Sequence, residues 1–385
     1  MADLLVDNAV VVDGTGGPAR PGSVLVEGDR VVAILDPGAP EAAVAVRFDA
    51  RGRVVAPGFV DVHQHSDLTP FVEPTMDSML RQGVTSIVVG NCGSSAFPFD
   101  GAPELAAMVG SDVATLGLEP WTFGEYLRAI DETSPALNVA ALVGHGSLRQ
   151  AVLGLSDRAP TAEETARMRD LLSDAVAEGA VGLSSGLIYV PGLHATTEEL
   201  VAVAGGLGNR GLYASHVRGE GSSVFDAVAE CVEVGRRAGV PSHVSHLKVE
   251  GRAMWGRAEE LLELVDGERS RGADVSADQY PYTAWETELA AALPPWARTT
   301  DLAELLADPA GRRRLETALE DESWESVGQG IGWDRVLVGA HTADPGRTGQ
   351  TIAAVASDLG IPPFEAVARL LIADPNAGMI GHAMF

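Results

Sequence analysis

Five side chains of metal-binding type recur in one kind of local setting. In Val62-His63-Gln64-His65 two histidines stand two residues apart, and because alternate side chains of an extended strand share a face, the pair forms a ready bidentate site. Cys92, His216 and His246 each follow a short apolar run, at residues 84–89, 212–215 and 241–245. Thiolate and imidazole suit a borderline-soft ion such as zinc, which keeps a coordination position open when it is catalytic. Five such ligands could hold two ions. Each residue also has a plainer reading, since free cysteine is most often a buried small hydrophobe and histidine a structural hydrogen-bonding group. Position argues against that reading for Cys92, which Asn91 and Gly93 flank at a strand exit. His243 lies three residues before His246, so it falls on the opposite face of the same strand and reads as structural. His145 sits at another strand exit, in Gly144-His145-Gly146, as a candidate supporting residue, whereas His194, His341 and His382 have loop or surface readings.

A further signal is compositional. Of the 27 basic residues, Lys248 is the one lysine, and it stands two residues after His246. A chain so biased towards arginine uses a compact ammonium where a planar guanidinium does not serve. Contact with a substrate carboxylate is the expected role, with Arg218 and Arg252 as neighbouring candidates for the same anion.

The elements that would position these residues are legible. The first sixty residues alternate β-branched runs with Gly, Pro and Asp turns, which predicts a small β-domain over residues 1–55. From residue 56 short apolar strands alternate with amphipathic helices, the pattern of a parallel sheet built from βα units. Seven strands are expected at residues 58–62, 84–89, 138–143, 181–184, 212–215, 241–245 and 274–277. Active sites of such barrels gather at the C-terminal strand ends, where all the candidate ligands fall. Thr161-Ala162-Glu163-Glu164 is a capping-box pattern, followed by Met168, Leu171, Leu172, Ala175 and Val176 at helical spacing. Residues 335–339 form another strand-like run before a helix expected over 348–359. Cys231, in a helical pattern, reads as core.

With 46% hydrophobic and 21% charged residues, the chain of 385 residues can bury a large core. A formal net charge of -27 disfavours nucleic acid and anionic membrane surfaces, which recruit basic patches. The start, Met1-Ala2-Asp3-Leu4, lacks the basic and apolar regions of a signal peptide, and no apolar run approaches the roughly 18 residues of a membrane span. A cytoplasmic location is expected, with a small molecule as partner.

The segments Gly58-Phe59-Val60-Asp61-Val62-His63-Gln64-His65, Gly90-Asn91-Cys92-Gly93, Ser184-Ser185-Gly186-Leu187-Ile188-Tyr189, Ser215-His216-Val217-Arg218, Ser245-His246-Leu247-Lys248 and Asp278-Gln279-Tyr280-Pro281-Tyr282 together resemble the D-aminoacylase, or N-acyl-D-amino-acid deacylase, family of the amidohydrolase superfamily. The resemblance implies an α/β fold: a (β/α)8 TIM-like barrel, incomplete here at its C-terminus, with a small N-terminal β-sandwich domain. It implies zinc held tightly by Cys92, His216 and His246, with a second, weaker position at His63, His65 and Cys92. Tyr189, Lys248, Tyr280 and Arg218 would line the substrate pocket. The implied reaction is hydrolysis of the amide of an N-acyl-D-amino acid. The family's catalytic aspartate and a further substrate arginine are expected beyond Phe385, so the barrel portion, residues 56–385, carries an insertion at about 285–350 and residues 335–339 are not strand eight. On this expectation the 385 residues bind metal but turn over substrate poorly. Thr283-Ala284-Trp285-Glu286-Thr287 departs from the family's small-residue segment, which points to a different substrate preference. A cyclic amidase of hydantoinase or dihydroorotase type is a rival, weakened because no lysine stands on strand four to bridge two metals. A non-enzymatic metal-binding relative is the other.

Overall fold

The computed structural model describes residues 2–38, 43–98, 120–319 and 324–382. Two compact units are present, residues 1–60 with 78–86, and residues 61–77 with 87–385.

The first unit holds a five-stranded mixed sheet. Its centre is β1 (Ala2–Val11), which pairs antiparallel with β2 (Arg20–Glu27) and parallel with β4 (Val44–Asp49) and β5 (Val54–Val55); β3 (Arg30–Leu35) pairs with β2. Ala9, Val11, Val24 and Ala50 are its buried centre, with Val6, Val26, Ile34 and Val55 against them. The domain expected as a β-sandwich is therefore a single sheet among the described residues. Cross-strand partners share a face, so Leu4 with Val26 and Val46, and Val6 with Val24 and Phe48, form two apolar rows.

Between residues 59 and 277 the strands follow chain order. β6 (Phe59–Asp61), β7 (Val84–Val89) and β8 (Asn138–Ala141) form one sheet; β9 (Val143–Gly144), β10 (Gly182–Gly186), β11 (Leu212–His216), β12 (Ser242–Val244) and β13 (Val275–Ala277) form a parallel one. β8 and β9 are one strand interrupted at Leu142, whose N–H donates to the Val89 carbonyl, while Val181 donates to Ala141. This is a (β/α)-barrel succession, with strands within a few residues of their expected places. The helix Ala162–Glu178 begins on the expected box: Thr161 Oγ1 accepts from the Glu164 N–H and the Glu164 carboxylate from the Thr161 N–H. Met168, Leu172 and Ala175 are its buried stripe. Cys231 is buried on the helix Val224–Ala238, as expected.

Residues 285–382 follow a different rule. β14 (Trp285–Glu288), β16 (Gly378–Gly381) and β15 (Val336–Val338) make a three-stranded antiparallel sheet in that order. The run at 335–339 is thus β15 and not an eighth parallel strand. Around this sheet Trp285, Leu289, Ile352, Val355, Val367 and Met379 belong to a separate buried cluster. The helix expected over 348–359 starts at Ile352, because Thr351 caps it by accepting from the Ala354 N–H. Among the described residues no helix is long and apolar enough to cross a membrane.

Candidate metal centre

Cys92 lies at the focus of the site. β7 ends at Val89, and Gly90-Asn91-Cys92-Gly93 then turns tightly between neighbouring strands. Gly90 (φ 77°) has no room for a side chain, since a Cβ would stand 2.3 Å from the Leu142 carbonyl oxygen. Asn91 is buried and donates from Nδ2 to the Val88 carbonyl at 2.9 Å. Cys92 itself is left-handed (φ 53°), as is His246 (φ 37°), conformations that cost a non-glycine residue of order 1 kcal/mol or more and cluster at functional sites.

The ligand atoms converge on that sulfur. His63 Nε2 is 3.3 Å and His246 Nε2 3.6 Å from Cys92 Sγ. A tetrahedral ion bound to nitrogen and sulfur at about 2.0–2.3 Å would separate its ligands by about 3.6 Å, so the spacing fits zinc. One ligand atom each from His63, Cys92 and His246 lie within 4.8 Å of one another, as do those of His216, Glu220 and His246. His216 ends β11, its ring centroid 4.4 Å from that of His246. Its Nε2 is buried without a hydrogen-bond partner, the state of a nitrogen shaped to ligate. His65 stands further out, exposed, its ring centroid 5.5 Å from that of His63, and it belongs to neither cluster. The expectation that β6 carries the histidine pair needs correction, because the strand stops at Asp61 and the two rings are inclined at 69°. Only the Gln64 N–H, donating to the Val88 carbonyl, continues the ladder.

Electrostatics match a thiolate among imidazoles. Burial alone would push the Cys92 thiol up, but His216, His246, His63 and His65 outweigh it and hold the thiol well below its ordinary value. Burial disfavours the charged form of His63, yet Asp278 and Cys92 overcome it and lift its pKa to about 10. His246 is raised to about 8, burial being outweighed chiefly by Glu220. Burial depresses His216, which favours the neutral ring.

Above the centre lies a cavity of about 510 Å³. All four expected substrate residues line it. Tyr189 OH lies 2.9 Å from Thr287 Oγ1 and 3.5 Å from His216 Nδ1. Tyr280 faces Lys248, whose Nζ is 5.5 Å from the ring centre. Lys248 is buried and donates to Glu220 Oε1 at 2.5 Å. Arg218 reaches the cavity but gives two hydrogen bonds to Glu230, each 3.0 Å, and others to the Leu193 and Ala195 carbonyls. Arg252 is far less enclosed, 3.6 Å from Asp334. His145 is buried 3.1 Å from Glu199, which Arg149 also grips with two contacts of 2.8 Å. His341, expected in a loop or at the surface, is instead buried, with Nε2 on the Leu370 carbonyl and Nδ1 accepting from Asp344.

Sequence reasoning missed several groups. Glu220 follows His216 by four residues and carried no motif signal. Asp278 follows β13 at a strand exit, the same placement that singled out the ligands, and that rule could have found it. His243, taken as structural, pairs with it at 2.8 Å. Residues 285–382 also contribute cavity walls, among them Trp285, Thr287, Arg298, Trp324 and Met379. Half-buried Arg298 donates to the carbonyls of Ile188, Ala291 and Leu293, and burial lowers its pKa to about 10.

Comparison with known proteins agrees with the barrel reading. The amidohydrolase family pattern matches residues 47–365, and the chain belongs to that family. It is 41% identical over 289 residues to a D-aminoacylase, and 42% over 290 residues to an N-acyl-D-glutamate deacylase, both of Alcaligenes xylosoxydans xylosoxydans. Each alignment covers 74% of this chain but 59% and 58% of the relative, so the chain spans somewhat under three-fifths of their length. Among solved structures, a D-aminoacylase superposes with a TM-score of 0.80 at 32% identity. The Bordetella bronchiseptica N-acyl-D-glutamate deacylase, complexed with zinc and a phosphonate mimic of the reaction's tetrahedral intermediate, gives 0.79 at 33%. Both matches cover all of this chain and 72% of the other.

Proposed function

We propose that the chain forms the metal-binding and substrate-enclosing part of an N-acyl-D-amino-acid deacylase, which hydrolyses the substrate amide to a carboxylate and a D-amino acid. The observation that carries this reading is the meeting of His63 Nε2, His246 Nε2 and the Cys92 sulfur beside the unpartnered His216 Nε2, next to a cavity of about 510 Å³. The relatives act on small N-acyl-D-amino acids by name, and a D-aminoacylase structure addresses a binuclear metal centre.

Cys92, His216 and His246 would hold zinc tightly, with His63, His65 and the shared Cys92 as a second, weaker position. When bound, the ion supplies Lewis acidity towards the acyl carbonyl and acidifies water. The chain's own residues do the rest. Tyr189 and Tyr280 flank the centre, and with Lys248 and Arg218 they define the substrate's binding wall. Residues 285–382 exclude water from the far side, as an insertion at about 285–350 in a barrel spanning 56–385, and residues 1–55 form the small domain. A cytoplasmic setting, with neither nucleic acid nor membrane as partner, fits the charge of -27.

Calorimetry on zinc-loaded protein is expected to show binding of N-acetyl-D-amino acids in preference to their L enantiomers, with only slow release of free D-amino acid. Equal binding of both enantiomers, or hydrolysis of hydantoins alone, would overturn the assignment.

A further inference from the structure

Two candidate ligands present the same nitrogen to the Cys92 sulfur and the other to a carboxylate. His63 points Nε2 at the Cys92 sulfur and sets Nδ1 3.0 Å from Asp278 Oδ2. His246 points Nε2 at the same sulfur and sets Nδ1 3.0 Å from Glu220 Oε1. A neutral imidazole carries one hydrogen, so whichever nitrogen donates leaves the other free to ligate. A carboxylate only accepts when ionised. Each therefore holds a hydrogen on Nδ1, so that when the ring gives up its other proton it is Nε2 that is left free to ligate.

The two carboxylates are themselves held. Asp278 Oδ2 accepts from His243 Nε2 at 2.8 Å, and Oδ1 from the His246 backbone N–H at 2.6 Å. One aspartate after β13 thus fixes the ring of one ligand and the left-handed backbone of another. His243 is anchored in turn, with Nδ1 2.8 Å from Ser276 Oγ. Glu220 is held by Lys248 at 2.5 Å, and that ammonium also donates to the His246 carbonyl at 3.2 Å. Lys248 Nζ lies only 2.9 Å from His246 Nδ1 as well. Were the ammonium to donate there, Nε2 would keep its hydrogen and be lost as a ligand. Glu220 prevents this by accepting from both groups. The side chain of Lys248 is 4% exposed, and a compact ammonium, unlike a planar guanidinium fork, can donate from one point to both Glu220 and the His246 carbonyl. This gives the one lysine of the chain a role on the protein's side of the metal.

We infer that Asp278 and Glu220, locked by His243 and Lys248, are positioning residues that select the Nδ1–H tautomer of His63 and His246 and so build the metal centre. The inference rests on the metal-centre reading above. Such outer carboxylates typically change metal affinity about 10- to 100-fold when removed.

The test measures zinc affinity of the 385-residue chain by competition with a chromophoric chelator. Asp278→Asn and Glu220→Gln are each expected to lose about 10- to 100-fold with unchanged circular dichroism. Glu164→Gln, which alters a carboxylate on the exposed helix start, should stay within about twofold on that scale. Long-range proton–nitrogen spectra of the zinc-loaded wild type should show hydrogen on Nδ1 of both His63 and His246, and this readout decides the matter if a variant fails to fold. Zinc affinity unchanged in both folded variants, or coordination through Nδ1, would sink the inference. A wild-type chain that takes up no zinc would remove the metal-centre reading and this inference with it.

Discussion

The floor and the wall of the cavity are built by opposite means. The floor consists of single residues at the exits of strands β7, β11 and β12, and each is placed by a parallel ladder whose register leaves little freedom. The wall comes from residues 285–382, which pair antiparallel among themselves and bury their own cluster around Trp285 and Met379. Left-handed non-glycine backbone marks the floor, at Cys92 and His246, and among the described residues of 285–382 none adopts it. Metal affinity should therefore depend on the floor, and enclosure and substrate preference on the wall.

The strongest way to break this division is Cys92→Ala. It removes the atom on which His63 and His246 converge, so zinc content of the purified protein should fall from near one equivalent to near none. Full retention of zinc would displace Cys92 from the centre.

Trp285→Ala probes the other side. Trp285 is 8% exposed, in the wall's buried cluster, and its ring fills the space beside Gly381, where a Cβ would lie 2.3 Å away. Truncation of a buried aromatic of this kind costs about 3–5 kcal/mol. Denaturant unfolding should register that loss while zinc affinity of the folded state stays within about twofold. A parallel collapse of metal binding would show that floor and wall act as one.

A smaller effect sharpens the floor's electrostatics. Ligands must shed their protons to bind metal. With pKa values of about 10 and 8, free His63 and His246 are imidazolium at neutral pH, whereas Cys92 is already inclined to thiolate. Zinc binding at the tight position should then release about one proton near pH 7, from His246, and filling the second position about one more, from His63. Apparent affinity is lost as pH falls and grows as pH rises, less steeply above about 8, where His246 is already neutral. Calorimetry in two buffers of different ionisation enthalpy counts the protons. An affinity independent of pH between about 6.5 and 8 would contradict the raised histidines.

By itself the sequence determined the strand succession, the helix start at Thr161, and the strand-exit placement of Cys92, His216, His246 and Lys248. These follow from interactions a few residues apart: a period-2 or helical stripe, a capping box, and a functional residue one to three positions past an apolar run. The tertiary structure alone decided which groups face one another. Glu220 and Asp278 became partners of His246 and His63 because loops after different strands converge, with His63 and Asp278 separated by 215 residues. It also decided the fate of residues 335–339. Three apolar positions, two of them β-branched valines, are compatible with a parallel barrel strand or an antiparallel partner of β16, since local propensity is the same in both and only the available neighbour differs. His341, legible as a loop histidine, is buried for that reason: the sheet it follows turned inward to the wall's own core.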